Sequence, residues 1–322
     1  MNAAIATRTR AVRPDQPQNQ GLCIVPILGP SHDRPEYRLL EGDALNLVRV
    51  TEVNQSGSVP ELTVVNELDA CVFLMDCQEL LGAKQNRILN TDVLVGAKAS
   101  ITIPVSCVEA HRWSYSSPSF SVGKSASYSI RAGKHARVHD SLKRGESHDA
   151  DQGAVWNEVS TSLHAAGAVS PSAALHDAYE QRKQDLTRLR SSLRMPEEAV
   201  GLAVFRGERF QGLDLFDRHT TLKYFWESLL DSYAIDFLAE AVDPKQPPAS
   251  PLAEQVQRLL ETAAGGQWES FKSPGLGMDW RLEDPTTTGS ALVAQDVVIH
   301  LQLFPKREQA QRRPRIHRRY VA

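Results

Sequence analysis

The sequence predicts an α+β protein: a β-rich N-terminal half, sandwich- or barrel-like, followed by helices and two C-terminal hairpins packed with helices. Three observations predict it. Short runs rich in Val, Ile, Leu and Thr recur through residues 22–113, with Gly, Pro, Asn or Asp between them; that is a strand pattern. Apolar residues take helical spacing from residue 151 onward. Two segments, GLAVFRGERFQGLDLF and GSALVAQDVVIHLQLF, each read as a strand, a polar turn and an aliphatic strand ending in Leu-Phe.

Taken in order, residues 1–20 are polar and proline-bearing and lack the apolar core of a secretory signal, so they read as a disordered leader. The runs CIVPIL, YRLL, ALNLVRVTEV, ELTVVN, CVFLMD, RILNTDVLV and ITIPVSCVE follow as strands. Residues 114–150 turn polar, rich in Ser, His, Lys and Arg, and read as a long surface connection with a short strand at YSIRA. Asp151 caps a helix through Val155, Val159 and Leu163, ended by Gly167. Ser170 and Pro171 read as N-cap and first helical residue of a helix carrying Leu175, Tyr179, Leu186, Leu189 and Leu193, which ends near Pro196. A hairpin turns at Arg206-Gly207. Residues 220–241 put Leu222, Phe225, Trp226, Leu229, Tyr233 and Phe237 on one helical face. KQPPASP is a linker, Leu252, Val256, Leu259 and Leu260 mark a helix up to Gly265, and the second hairpin closes the chain. The likeness of the hairpins reads equally as an internal repeat and as shared hairpin chemistry. Residues 21–304 thus form the α+β domain, as one unit or as lobes 21–150 and 151–304, and 305–322 form a basic disordered tail.

Composition narrows the function. The 322-residue chain is 41% apolar, enough for a real core, and carries a net charge of −3. From Phe304 the tail carries +6, which leaves −9 on the body. An acidic body with a basic tail does not suit a nucleic-acid-binding domain; an RNA-end-processing role using the tail is the third-ranked reading. None of the four cysteines forms a C-x-x-C pair, which argues against structural zinc and for a reducing compartment. No apolar run approaches the roughly 20 residues of a membrane span. A cytoplasmic protein without a membrane partner is expected. The common nucleotide-fold and hydrolase motifs are absent.

The candidate site is the polar cluster in LGAKQNRILNTDVLV, residues 81–95. Arg87 can fork onto phosphate oxygens and Lys84 adds a mobile charge. Gln85, Asn86 and Asn90 offer donors and acceptors for ribose hydroxyls or an adenine edge. The bland alternative is a solvated connection whose amides tie down the backbone. In IPVSCVEAHRW, Cys107 and Glu109 share a strand face, and the carboxylate argues against an activated thiol. Glu109 is therefore a candidate general base or hydroxyl acceptor, with Arg112 beside it and Trp113 as a stacking or core-filling ring. Asp151 and Gln152 stand at a helix start, as cap or as sugar contact. Glu79, Glu109 and Asp151 together would suit Mg²⁺; the cofactor is otherwise left open by the sequence. His135 and His139, four apart, would share a metal on a helix, but in so polar a segment they read as surface histidines. Asp217 reads as a residue near a helix cap.

The stretches GDALNLVRVTEVNQSGSVPELTVVN, FLMDCQELLGAKQNRILNTDVLV, IPVSCVEAHRW, HDADQGAVWNEV, SPSAALHDAYE, DLFDRHTTLKYFWESLLDSYAIDFL and GSALVAQDVVIHLQLF resemble the ARPP-1 domain, the ADP-ribosylglycohydrolase and rhodanese-phosphatase-superfamily-associated protein domain. The resemblance runs over residues 39–304, and AKQNRILN and IPVSCVE are its most specific blocks. The family pattern has Asp-Gly-Glu-Glu-Leu where this chain reads Asp76-Cys77-Gln78-Glu79-Leu80. Glu79 is the carboxylate that remains. The resemblance implies a link to NAD or ADP-ribose metabolism and no defined reaction. The leading expectation is binding, and in the fuller form processing, of an ADP-ribose- or NAD-derived phosphorylated nucleotide. Lys84 and Arg87 would hold phosphate, and Glu79 or Glu109 would act as acid or base. The alternative is a non-catalytic module that partners an enzyme of ADP-ribose metabolism.

Overall fold

The computed structural model describes residues 5, 11–12, 22–238 and 252–306. The linker KQPPASP and most of the leader and tail lie outside the described residues.

Among the described residues there are seventeen strands, arranged in three sheets, and seven α-helices. The early strands β1 (Ala11–Val12), β2 (Leu22–Leu28), β3 (Tyr37–Arg38), β4 (Val48–Glu52) and β5 (Glu61–Asn66) are followed by β6 (Cys71–Leu74), β7 (Gln78–Gly82), β8 (Arg87–Leu89), β9 (Val93–Val95), β10 (Ser100–Cys107) and β11 (Phe120–Ser125). The later ones are β12 (Ala199–Arg206), β13 (Arg209–Phe216), β14 (Trp268–Lys272), β15 (Met278–Glu283), β16 (Thr287–Ala294) and β17 (Val297–Pro305). The helices are α1 (Ala44–Leu47), α2 (Tyr128–Lys143), α3 (Gln152–Ala166), α4 (Leu175–Gln181), α5 (Lys183–Ser191), α6 (His219–Ala234) and α7 (Leu252–Gly265).

The six-stranded antiparallel sheet β11-β7-β8-β10-β5-β4 is the barrel-like part expected of the N-terminal half. Period-two alternation directs Val50, Leu62, Val64, Leu80, Leu89, Ile103 and Val105 into one apolar cluster. The small sheet β3-β6-β9 adds Val72, Leu74, Val93 and Val95 to that cluster. The eight-stranded antiparallel sheet runs β1-β2-β12-β13-β17-β16-β15-β14. The two similar hairpins, β12–β13 and β16–β17, meet at its centre, where Asp214 pairs with Gln302 and Phe216 with His300. One face of this sheet buries Leu213, Leu215, Leu301 and Leu303 with α7. The other face carries Phe216, Ile299 and Phe304 against α2 and α6.

That second face also carries charge. Asp214, His300, Gln302, Asp279 and Arg281 point from the sheet, Arg131 and Lys134 from α2, and Asp76 and Asp92 from the segments bounding β7–β9; all are buried. Arg131 pairs with Asp214, Lys134 with Asp76 at 2.6 Å and Arg281 with Asp279 at 2.6 Å, while His300 lies between Asp92 at 3.0 Å and Asp214 at 3.3 Å. Four cations thus meet four carboxylates. Pairing is what makes this burial tolerable, because an isolated buried charge is strongly unfavourable. The network bolts the half-barrel to the large sheet.

Three expectations are corrected. Residues 128–143 are neither a surface connection nor a strand but the helix α2, with Ile130, Arg131, Lys134, His135, Val138 and Leu142 buried. Its inward face is partly cationic, so apolar periodicity could not reveal it. His135 and His139 accordingly lie buried, His135 Nδ1 lying 3.3 Å from Thr288 Oγ1. Finally, α4 begins at Leu175 rather than at Pro171; the Ser170 hydroxyl accepts from the Ala174 N–H at 2.7 Å.

Asp151 caps α3 as expected: its carboxylate accepts from the Ala154 N–H, and Gly167 ends the helix at φ 62°. Asp151 itself sits at φ 57°, a region that Asp and Asn tolerate better than Ala. Asp151→Ala is expected to lower the unfolding free energy by about 1 kcal/mol and Asp151→Asn by a few tenths at most. Urea unfolding of the two variants checks this.

Candidate functional site

The sequence-predicted run forms a knot at the β7–β8 connection. Gly82 at φ 118° and Ala83 at φ 39° turn the chain. The Asn86 side chain closes the turn by accepting from the Gly82 N–H at 3.0 Å. The Asn86 N–H donates to Glu109 Oε2 at 3.0 Å, and Gln85 donates to the Glu109 carbonyl at 3.0 Å. Arg112 forks onto both Glu109 oxygens at 2.9 and 2.6 Å and also reaches the Ala83 carbonyl. Arg87, fully buried, donates to Gln85 Oε1 at 2.9 Å. Lys84 donates to the Ser56 carbonyl, its ammonium 5.1 Å from the Trp113 ring and 5.2 Å from Tyr115. Trp113 is 47% exposed, so it is not core filling.

Lys84, Gln85, Asn86, Arg87, Glu109, Arg112 and Trp113 are therefore brought together. Many of their polar atoms are spent on one another, but Arg87 Nε and Nη2, both buried, meet no hydrogen-bond partner. Asn90 points elsewhere, donating to the His148 carbonyl and accepting from Ser106. Gln152 grips β10 by bonding both the N–H and the carbonyl of Cys107. Burial would raise the Glu109 carboxyl, but Arg112 and the Asn86 N–H hold it below the usual range. Burial raises the Cys107 thiol despite the nearby Arg87 cation, so it is not a ready nucleophile.

Glu79, also on β7, is fully buried and receives His176 Nδ1 at 3.1 Å. Gly123 of β11 makes room for it: a Cβ there would stand 2.8 Å from Glu79 Oε2. Burial raises the Glu79 carboxyl, partly offset by His176, and the carboxylate in turn raises His176. The imidazole, on α4, opens into a cleft of 420 Å³ walled by β7, β11 and α6. Gln78, Lys124, Lys223, Tyr224, Glu227 and Ser228 supply its polar lining and Leu81, Val122 and Phe225 its apolar lining. Lys124 leans on Asp231 at 3.0 Å.

Sequence reasoning named Glu79 but missed His176, Lys124 and Lys223. A lone histidine and two ordinary lysines carry no motif; the pairing of β7 with β11 and the packing of α4 and α6 beside them bring the three to one cleft. Glu79, Glu109 and Asp151 do not share a site: they engage His176, Arg112 and the α3 N-terminus respectively. Among the described residues, no group of three His, Cys, Asp or Glu is placed to hold a metal ion, so the expected Mg²⁺ site is not assembled there.

The family model described as the ARG and Rhodanese-Phosphatase-superfamily-associated Protein domain, ARPP-1, matches residues 11–304. The chain belongs to the ARPP-1 family. No curated protein and no solved structure gave a significant match. The family description states association with those superfamilies and no ligand or reaction. Cys77 holds φ 60° and is fully buried, so the turn before β7 carries a side chain in the left-handed region. Such a placement costs roughly 1–2 kcal/mol for a residue with a Cβ. None of the described helices is long and apolar enough to cross a membrane.

Proposed function

We propose that this ARPP-1 domain binds a phosphorylated nucleotide of the ADP-ribose or NAD-derived kind, and that the seat is the cleft beside Glu79 and His176. One observation carries the proposal: a half-buried imidazole held on a buried carboxylate faces two lysines across a concavity of ligand size. Specific small-molecule sites are concavities of about 300–1,000 Å³ with a few convergent polar groups. Lys124 and Lys223 would take phosphate, and Gln78, Tyr224 and Ser228 the hydroxyl groups. The alternative seat for the same ligand is the knot, where Trp113 and Tyr115 stand exposed with Lys84 between them and Arg87 behind. There Gln85, Asn86 and Arg112 would be supporting groups, whereas Asn90, Asp151 and Gln152 are engaged elsewhere.

The test is a thermal-shift panel of NAD, ADP-ribose, ADP, AMP and ribose 5-phosphate. A ligand at a hundredfold its dissociation constant adds about 2.7 kcal/mol to stability. The expected outcome is a rise in Tm confined to ADP-ribose-like compounds and lost in Lys124→Ala/Lys223→Ala. Loss in Lys84→Ala/Arg87→Ala instead would move the seat to the knot. The second reading is a non-catalytic module that associates with a partner enzyme, favoured by the family description. An absence of any shift across the panel would decide for it.

A further inference from the structure

We propose that His176 is the proton-transferring group of a hydrolytic step on a phosphate ester held in the cleft, with Glu79 as its positioning residue. The inference rests on the binding reading above and adds an activity to it. Nδ1 of His176 is fixed on Glu79 Oε2 at 3.1 Å. That contact directs the Nδ1 proton to the carboxylate and leaves Nε2 with its lone pair, the arrangement that orients a general base. Glu79 is itself fixed: it is fully buried and Gly123 packs against it. A carboxylate so enclosed has one task open to it, to hold and polarise the imidazole that reaches the cleft.

Lys124 and Lys223 on the cleft wall, against the single carboxylate of Glu227, favour an anionic substrate, with Lys223 the lysine not drawn onto Asp231. In the step, Nε2 accepts a proton from water as the water oxygen bonds to phosphorus. The bond from phosphorus to the leaving oxygen breaks, and the imidazolium returns the proton to that oxygen. Nothing is oxidised or reduced. Besides Glu79, the charged groups that face His176 are Glu180 and Asp177 of α4, with Nε2 3.9 Å from Glu180. Lys124 of β11 and Lys223 and Glu227 of α6 line the same cleft. The carboxylates raise the imidazole, so the active base form develops above the ordinary histidine range.

The experiment uses the full chain with ADP-ribose, p-nitrophenyl phosphate and bis-p-nitrophenyl phosphate, following released AMP, phosphate or nitrophenol. Turnover is expected in the parent protein. His176→Asn should lower it about 10²- to 10⁴-fold, the usual contribution of a general acid–base group, while the thermal shift with ADP-ribose persists. Glu79→Gln should lower the rate less and move the rising limb of the pH–rate profile to lower pH, which a merely structural role would not do. If Glu79→Gln fails to fold, Gly123→Ala, which crowds the same carboxylate, supplies the profile. A ligand shift without turnover in the parent, or undiminished turnover in His176→Asn, overturns this proposal and leaves the binding reading standing. No ligand shift and no turnover overturns both.

Discussion

Arg131→Met is expected to lower the unfolding free energy by about 3–5 kcal/mol, the usual loss when one partner of a buried ion pair is removed. Arg131 lies fully buried on α2, with its guanidinium 5.1 Å from the Tyr233 ring and 5.2 Å from Phe304. It is paired with Asp214, which also accepts from Tyr233 at 2.8 Å. Burial would raise the Asp214 carboxyl, yet Arg131 and His300 hold it below the usual range. Without Arg131 that carboxylate keeps its enclosure and loses its main counter-charge. The effect is thus a stranded Asp214, more than lost contacts of the arginine. The double variant Arg131→Met/Asp214→Leu should therefore recover part of the loss. Guanidinium unfolding of both variants tests this. A single variant within about 1 kcal/mol of the parent protein, or a double variant worse by the sum of its parts, would sink the argument.

The same network explains what could be read from the sequence and what could not. The half-barrel was legible because β4, β5 and β10 alternate apolar and polar residues at period two. The hairpins were legible because LDLF and LQLF end matching strands, and their meeting at β13–β17 gives the likeness a structural counterpart. The helix α2 was not, because its buried face mixes Arg131, Lys134 and His135 with Val138. Those charges are neutralised by residues remote in sequence, Asp214 and Asp76 among them. Hydrophobic pattern reading assumes that inward means apolar, and a cross-linked ionic core defeats it. The site divides in the same way. The KQNR run meets Glu109, Arg112 and Trp113 because β8 and β10 are adjacent strands whose ends lie together. His176 reaches Glu79 across 97 residues through the packing of α4, which no local spacing encodes.

Stability is expected to fall as pH rises from about 6.5 to about 9, by an amount on the order of 3 kcal/mol, and His300 is the cause. His300 is fully buried and stacked on Phe216 at 4.3 Å, with Asp92 on Nδ1 and Asp214 on Nε2. Burial alone would lower its pKa, but the two carboxylates overcome that and push it up to about 9. The folded state therefore binds this proton more tightly than the unfolded chain does. The stabilisation is fully present below the unfolded value near 6.5 and is lost as pH climbs through the folded value. His176, also raised, contributes in the same direction, but it is partly exposed and weakened by solvent. His135 and His139 are lowered, so their effects fall on the acid side, below the ordinary histidine value. From pH 6.5 to about 8 the slope belongs chiefly to His300 with its partner Asp92, whose carboxyl burial raises, and nearer pH 9 the buried Cys77 and Cys107 thiols, also raised, add to it. His300→Gln should start less stable, because Asp92 and Asp214 lose their shared cation, and its stability should change much less than the parent's between pH 6.5 and about 8. Urea midpoints measured at half-unit pH steps compare the two slopes. A parent protein with no alkaline slope, or a variant with the same slope, would place the proton elsewhere and reduce His300 to a neutral hydrogen-bonding ring between two carboxyl groups.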